Sequence, residues 1–229
     1  MTSEDGSELL KITGNVTDLL HRLGAPSATQ IGLMLGDELR DYRVKRWIKV
    51  AKRTQARLHK LGLSVNTVPP KLLVPIIDNC SLEDDESLQE LWAGLLATAS
   101  QQADVVSRSF IETLKQLTPE EARYMDKLFK DRNGLRGDRR LSSYAFAPQN
   151  GAPRGASETF ERLGLIRRDY VAGYNTITRN PDNDLTVEDA FDPISASEVE
   201  VGYWRAWTDY AIKFWKACHG PRKPSASKD

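Results

Sequence analysis

The segment SLEDDESLQELWAGLLATA, residues 81–99, constrains the fold more than any other stretch of the chain. Leu88, Leu91, Trp92, Leu95, Leu96 and Ala99 recur at i, i+3, i+4, i+7, i+8 and i+11, the spacing of one broad core-facing stripe on an α-helix. In front of the stripe stand Glu83, Asp84, Asp85 and Glu86. Consecutive helical residues point about 100° apart, so four neighbouring carboxylates cannot converge on one ion. Only Glu83 and Glu86 have the i, i+3 spacing of a ligand pair, and no histidine follows until His219. The run is therefore read as a helix start, with Ser81 as the cap. Each exposed carboxylate in the first turn gains about 0.3–1 kcal/mol against the helix dipole. Trp92 is expected in the core.

Around this element the pattern is mostly helical. Leu9, Leu10, Ile12, Val16, Leu19, Leu20 and Leu23 have helical spacing and stop at Gly24, with Pro26 beyond. Between 27 and 61 there are two apolar stripes a third of a turn apart. One is Ile31, Leu35, Leu39 and Tyr42; the other is Trp47, Val50, Ala51, Leu58 and Leu61. A bend near 41–46, or two helices, accommodates both. VNTVPPKLLVPIIDNC reads as a proline breaker closing on a short apolar segment. SRSFIETLKQL is a further helical stretch. In TPEEARYMDKLF, Thr118 as N-cap, Pro119 at the first helical position and Glu121 three residues on form a capping box.

From Lys130 the texture changes to loop, then a short helix in SETFERLG that stops at Gly164. LIRRDYVAGYNTITR suggests strand, turn and strand, VEVGYWRAW a strand, and TDYAIKFWKACHG a closing helix capped by Thr208. The expected fold is mainly α: a helical N-terminal half plus a winged-helix-like α+β C-terminal unit with a small β-hairpin or sheet. Its expected divisions are a flexible N-terminus at 1–7, a helical region at 8–117, the winged unit at 118–219 and a disordered tail at 220–229.

Composition excludes several classes of function. Hydrophobic residues are 40% and charged residues 28%, a globular balance, and the formal net charge is zero, so any charge argument must be local. Two distant cysteines, Cys80 and Cys218, make no disulfide framework and suit a reducing, cytoplasmic setting. The acidic start MTSEDGSELLK lacks the features of a secretory signal, and no apolar run approaches membrane-spanning length.

The local charge lies on one segment. Nine basic residues fall between 40 and 60, against the single acid Asp41. Lys45, Arg46, Lys49, Lys52, Arg53, Arg57 and Lys60 share a broad helical face opposite Trp47, Ala51 and Leu58, where they would meet nucleic-acid phosphates or an acidic partner. The blander reading, which weighs more, is a solvated face paired with residues 83–86. Arg167 and Arg168 on the hairpin, with Arg136, Arg139 and Arg140 upstream, would reach a phosphate backbone. The helix before the hairpin presents Glu158, Thr159, Glu161 and Arg162, a poor set for reading bases, so protein docking is the preferred role of the winged unit. Gly32 and Gly36 suit close packing of two soluble helices. NGLRG and NGAPRG lack the lysine and helix context of a phosphate loop, and Cys218-His219 lacks partner ligands for zinc. No catalytic residue, metal site or cofactor is assigned, and an enzyme is not expected.

Read whole, PPKLLVPIIDNC followed by the acidic run and Leu-Trp-Ala-x-Leu-Leu-Ala resembles the hallmark of the Abi-alpha (abortive infection alpha) family, with Phe110, Leu114, Leu117 and Pro119 matching the motif that follows. LGAPSATQIGLMLGDELRDYRVKRWIKVAKR is similar to its Arg-rich helix, and Thr208, Phe214 and Cys218 to its closing helix. Gly94 stands where many members carry Asn. The resemblance implies prokaryotic phage defence by abortive infection, triggered by an unknown protein or phage-derived partner, and carries over no catalytic residues. The alternatives are a nucleic-acid-binding regulator using the 40–60 face and, less well supported, a toxin-like effector enzyme. A homo-oligomer is compatible with the sequence.

Overall fold

The computed structural model describes residues 18–25, 40–131, 139–141, 145–170 and 203–221. Several sequence expectations lie outside them: the helix before residue 18, the Ile31–Leu39 stripe, the Gly32/Gly36 pair, Arg136, the hairpin turn and acidic loop after 170, and both terminal segments.

The chain is mostly helical with one small sheet. Helices α1 (Arg40–Lys60), α2 (Pro70–Cys80), α3 (Glu86–Gln101), α4 (Arg108–Gln116) and α5 (Pro119–Asp131) precede strand β1 (Arg140–Leu141). Then come α6 (Ala156–Arg162), β2 (Ile166–Tyr170), β3 (Tyr203–Trp207) and α7 (Asp209–Cys218). α3 is central, packing against α1, α2, α5 and α7. Its stripe is buried as expected, with Trp92 1% exposed. Of the second stripe, Trp47, Val50, Ala51 and Leu58 on α1 are likewise fully enclosed, while Leu61, just past the helix, is only half-buried. Tyr42 is not core; it is exposed, with the Arg46 guanidinium 3.1 Å above its ring.

Residues 18–22 are helical and end where Gly24 takes φ +72°, with Ala25 N–H donating to Leu20 O at 2.8 Å and Gly24 N–H to His21 O at 3.0 Å. This is the Schellman closure that favours glycine.

Two local expectations are corrected. Residues 70–80 are a helix rather than a breaker: Pro70 occupies the first turn, where no N–H is needed. Pro75 forfeits one ladder bond inside the helix, but Leu72, Leu73, Ile76 and Ile77 are buried against the core and outweigh it. Ser81 to Asp85 do not begin α3; they form the turn between α2 and α3, and Asp85 is the N-cap. Its Oδ1 accepts from Ser87 N–H at 2.9 Å and Leu88 N–H at 3.2 Å. Ser81 is buried instead, its hydroxyl accepting from Arg43 Nε at 3.1 Å and donating to Asp78 O at 2.9 Å.

The two other caps stand as read. Glu121 N–H donates to Thr118 Oγ1 at 3.2 Å and Thr118 N–H to Glu121 Oε2 at 2.9 Å, while Ala211 N–H donates to Thr208 Oγ1 at 3.1 Å.

The sheet is antiparallel in the order β1-β3-β2, with Leu141 opposite Arg205 and Ile166 opposite Trp207. The β2–β3 connection, which would be the wing, falls outside the described residues. Trp207 stacks on Phe129 at 4.1 Å, joining the sheet to α5. α7 then returns to the first half: Phe214 meets Phe110 edge-on at 5.7 Å, and Thr98 Oγ1 donates to Ala217 O at 2.8 Å. One apolar core runs unbroken from Leu19 to Cys218. Both cysteine thiols lie in it, and burial pushes their pKa values up. Among the described residues no helix is long and apolar enough to cross a membrane.

Candidate anionic-partner interface

The apolar stripe of α1 docks on α3, and this decides what becomes of its cations. At 100° per residue, the arginines at 46, 53 and 57 fall at the edge of the buried stripe, while Lys45 and Lys52 fall on the outer surface. The helix therefore carries two rows of charge rather than one face.

The inner row is bound to the chain's own acids. Arg43, 7% exposed, donates to Asp78 Oδ1 at 2.6 Å as well as to Ser81. Arg46 Nη2 lies 3.9 Å from Asp84. Lys49 Nζ reaches Glu86 at 3.0 Å. Arg53 bridges Glu86 at 3.4 Å and Glu90 at 3.1 Å, and donates to the buried Gln89 Oε1 at 3.0 Å. Arg57 pairs with Glu90 at 2.9 Å, and its other terminal nitrogen lies 3.5 Å from Cys218 O. Of the seven cations expected to face a partner, Lys45, Lys52 and Lys60 stay exposed without an ion pair among the described residues.

The acidic run diverges, as its spacing requires. Glu83 accepts from Asp85 N–H at 3.0 Å, and burial raises its carboxyl above the ordinary range. Asp84 turns to Arg46 and Glu86 to Lys49 and Arg53. Asp85 caps α3 and pairs with Arg123 at 3.0 Å. The Ser87 hydroxyl, aided by the Leu88 N–H and Arg123, holds Asp85 below the usual aspartate range. Glu86 is lowered chiefly by Lys49, then Arg53. Individually such exposed pairs are screened by solvent and contribute little. Their joint effect is to fix the register of α1 on α3 and to withdraw most of the guanidinium donors from outside partners.

The arginines of β2 behave alike. Arg168 pairs with Glu161 at 2.8 Å, and Arg167 with Asp169 at 2.9 Å. Glu161 also meets Arg205 at 3.3 Å, and Arg168 first, then Arg205, holds it below the usual glutamate range. Arg139 pairs with Asp209 at 2.6 Å.

Sequence reasoning missed three parts of this arrangement. Gln89 is 1% exposed and joins Arg53 to Glu83 O. Glu90 is the acid shared by two arginines, and its i+4 spacing from Glu86 was the available signal. The third is the triangle of His219, Asp126 and Trp215, with His219 Nε2 2.8 Å from Asp126 and Nδ1 2.9 Å from Trp215 O. Among the described residues no group of three or more His, Cys, Asp or Glu is placed to hold a metal ion.

The model of the abortive infection alpha family matches residues 42–218, from the first turn of α1 to the last residue of α7, and the chain belongs to that family. No curated protein matches the chain. No solved structure matches it either.

Proposed function

We propose that this protein acts in abortive-infection defence, halting a phage-infected prokaryotic cell through contacts with another macromolecule. The observation that carries the reading is the extent of the family match, which takes in nearly all of the continuous core. The protein works in the cytoplasm and performs no chemistry of its own on its partner. Internal pairing of Arg46, Lys49, Arg53, Arg57, Arg167 and Arg168 favours a protein partner over a phosphate backbone. The C-terminal unit is the docking element. Its sheet order β1-β3-β2, with α6 leading into β2, supports a winged arrangement, and Glu158 and Glu161 on α6 oppose insertion into a DNA groove. Expression in a phage-sensitive host followed by plaque counts tests the proposal. Protection against at least one phage is expected, and unchanged plaquing across a broad panel overturns it.

A second reading, nucleic-acid binding, keeps one specific observation: Lys45, Lys52 and Lys60 remain exposed on one helix and unpaired among the described residues. Each phosphate they neutralise would steepen the logarithmic salt dependence of binding by about 0.9. Reversal of these lysines with no change in duplex affinity or salt slope removes this surface from consideration.

A further inference from the structure

A half-open cleft of about 600 Å³ lies where the loop leading into α6 meets β3. Its apolar lining comes from Phe146, Pro148 and Pro153. The lining is set by local backbone chemistry. A 3-10 turn at Pro148–Asn150 closes on Gly151 at φ +74°, and Gly155 takes φ +75° just before α6. Both are conformations that favour glycine. This accounts for the NGAPRG stretch, which is no phosphate loop.

Among the described residues three charged side chains complete the site. Arg205, from the central strand, holds its guanidinium 5.4 Å from the Phe146 ring centre and its Nε 3.3 Å from Glu161, so one wall is fixed. Arg154 and Glu158 stand exposed on the rim, neither paired with any described residue. In the wall the Ser157 hydroxyl is buried, its residue 7% exposed, without a hydrogen-bond partner among the described residues. A buried hydroxyl left unpaired is costly, and a ligand group reaching it removes that cost.

We propose that this cleft binds an apolar amino-acid residue bearing a free carboxylate, as at a peptide C-terminus or in a free amino acid. Both rim charges and the apolar wall then have counterparts. The carboxylate meets Arg154, an amide or ammonium N–H meets Glu158, and the side chain lies against Phe146 and the prolines. The volume suits a ligand of this size. A phosphate fits less well, because Glu158 offsets the charge of Arg154 at the rim, whereas an amphoteric group satisfies both. For its peptide arm the inference rests on the docking reading above.

Calorimetric titration of the full chain with phenylalanine, Gly-Gly-Phe and Gly-Gly-Phe amide tests it. Phenylalanine, Gly-Gly-Phe or both bind, the amide binds at least about tenfold more weakly, and Arg154→Glu weakens the acids by about tenfold or more. Arg154 is exposed and pairs with no described residue, so the variant keeps its fold, which circular dichroism verifies. Binding by phenylalanine alone supports a small metabolite at the cleft; binding by Gly-Gly-Phe supports a partner's chain end. Absence of binding by both acids, equal binding of the amide, or an unchanged Arg154→Glu affinity overturns the proposal. Phage protection is scored separately with the unaltered protein. Intact protection without binding defeats the cleft alone, and binding without protection defeats the functional reading alone.

Discussion

Gly94 and Cys218 meet so closely that a Cβ built on Gly94 would lie 1.8 Å from the Cys218 carbonyl oxygen. The contact joins the middle of α3 to the last turn of α7, elements more than a hundred residues apart in the chain. Arg57 threads the same point: the added Cβ would lie 2.5 Å from its Nη1, and one on Gly220 2.9 Å from its Cδ.

Gly94→Ala is therefore expected to destabilise, although alanine is the better helix former by about 1 kcal/mol. Backbone cannot swing aside as a side chain does, so overpacking of about 1–3 kcal/mol prevails. Gly94→Asn, with a longer side chain, should cost more still. Urea denaturation of the two variants checks the order; a gain in stability for either would mean that α7 docks differently.

Thr98 offers a second probe of the same seam. Its hydroxyl, in a residue 4% exposed, reaches Ala217 O at 2.8 Å and Gly94 O at 3.1 Å. Thr98→Val keeps the shape and strips the donor from a helix-end carbonyl. The expected loss is about 1–3 kcal/mol, and hydrogen exchange should accelerate in α7 ahead of α2.

These long-range contacts explain the limits of the sequence reading. Thr118 with Glu121, and Thr208, were legible because a cap is decided within four residues. Trp92 was legible because the helical period alone places it. Ser81 was misplaced because its hydroxyl is claimed by Arg43, 38 residues away, while Asp85, nearer the stripe, takes the cap. Pro75 hid α2 because proline's local cost is visible in sequence and the burial that offsets it is not. Pairing of the basic segment with residues 83–86 was legible because both runs stand out by charge, and it is seen at Asp84 and Glu86; the part of Glu90 was not, because only the docking of α1 on α3 brings it under Arg53 and Arg57.

Trp92 is 1% exposed at the centre of α3. Trp92→Ala should cost about 3–5 kcal/mol, the loss of a large buried ring plus the cavity it leaves. A melting temperature within a degree or so of the parent would place the ring at a surface and contradict the packing.

Acid should unfold the protein through a small set of carboxylates. Asp85 is lowered first by the Ser87 hydroxyl, Glu86 by Lys49, and Glu161 by Arg168. Asp126 is lowered because Lys130 and His219 together outweigh its burial. A depressed folded value means that the unfolded chain binds the proton more tightly. Each group thus contributes stability that is present above its unfolded value and lost as pH falls through the folded one, here below about pH 4. Glu83 has the opposite sign: burial raises it, so its ionised form is a cost at neutral pH that disappears in acid. Glu83→Gln leaves an oxygen to accept the Asp85 N–H and removes that charge. The expected result is a melting temperature at pH 7 that is unchanged or higher. Asp85→Asn should instead flatten the fall in melting temperature between about pH 4 and pH 2, because an amide retains the cap but no longer titrates. A lower neutral-pH melting temperature for Glu83→Gln, or an acid limb unchanged by Asp85→Asn, would show that these carboxylates do not govern the turn between α2 and α3.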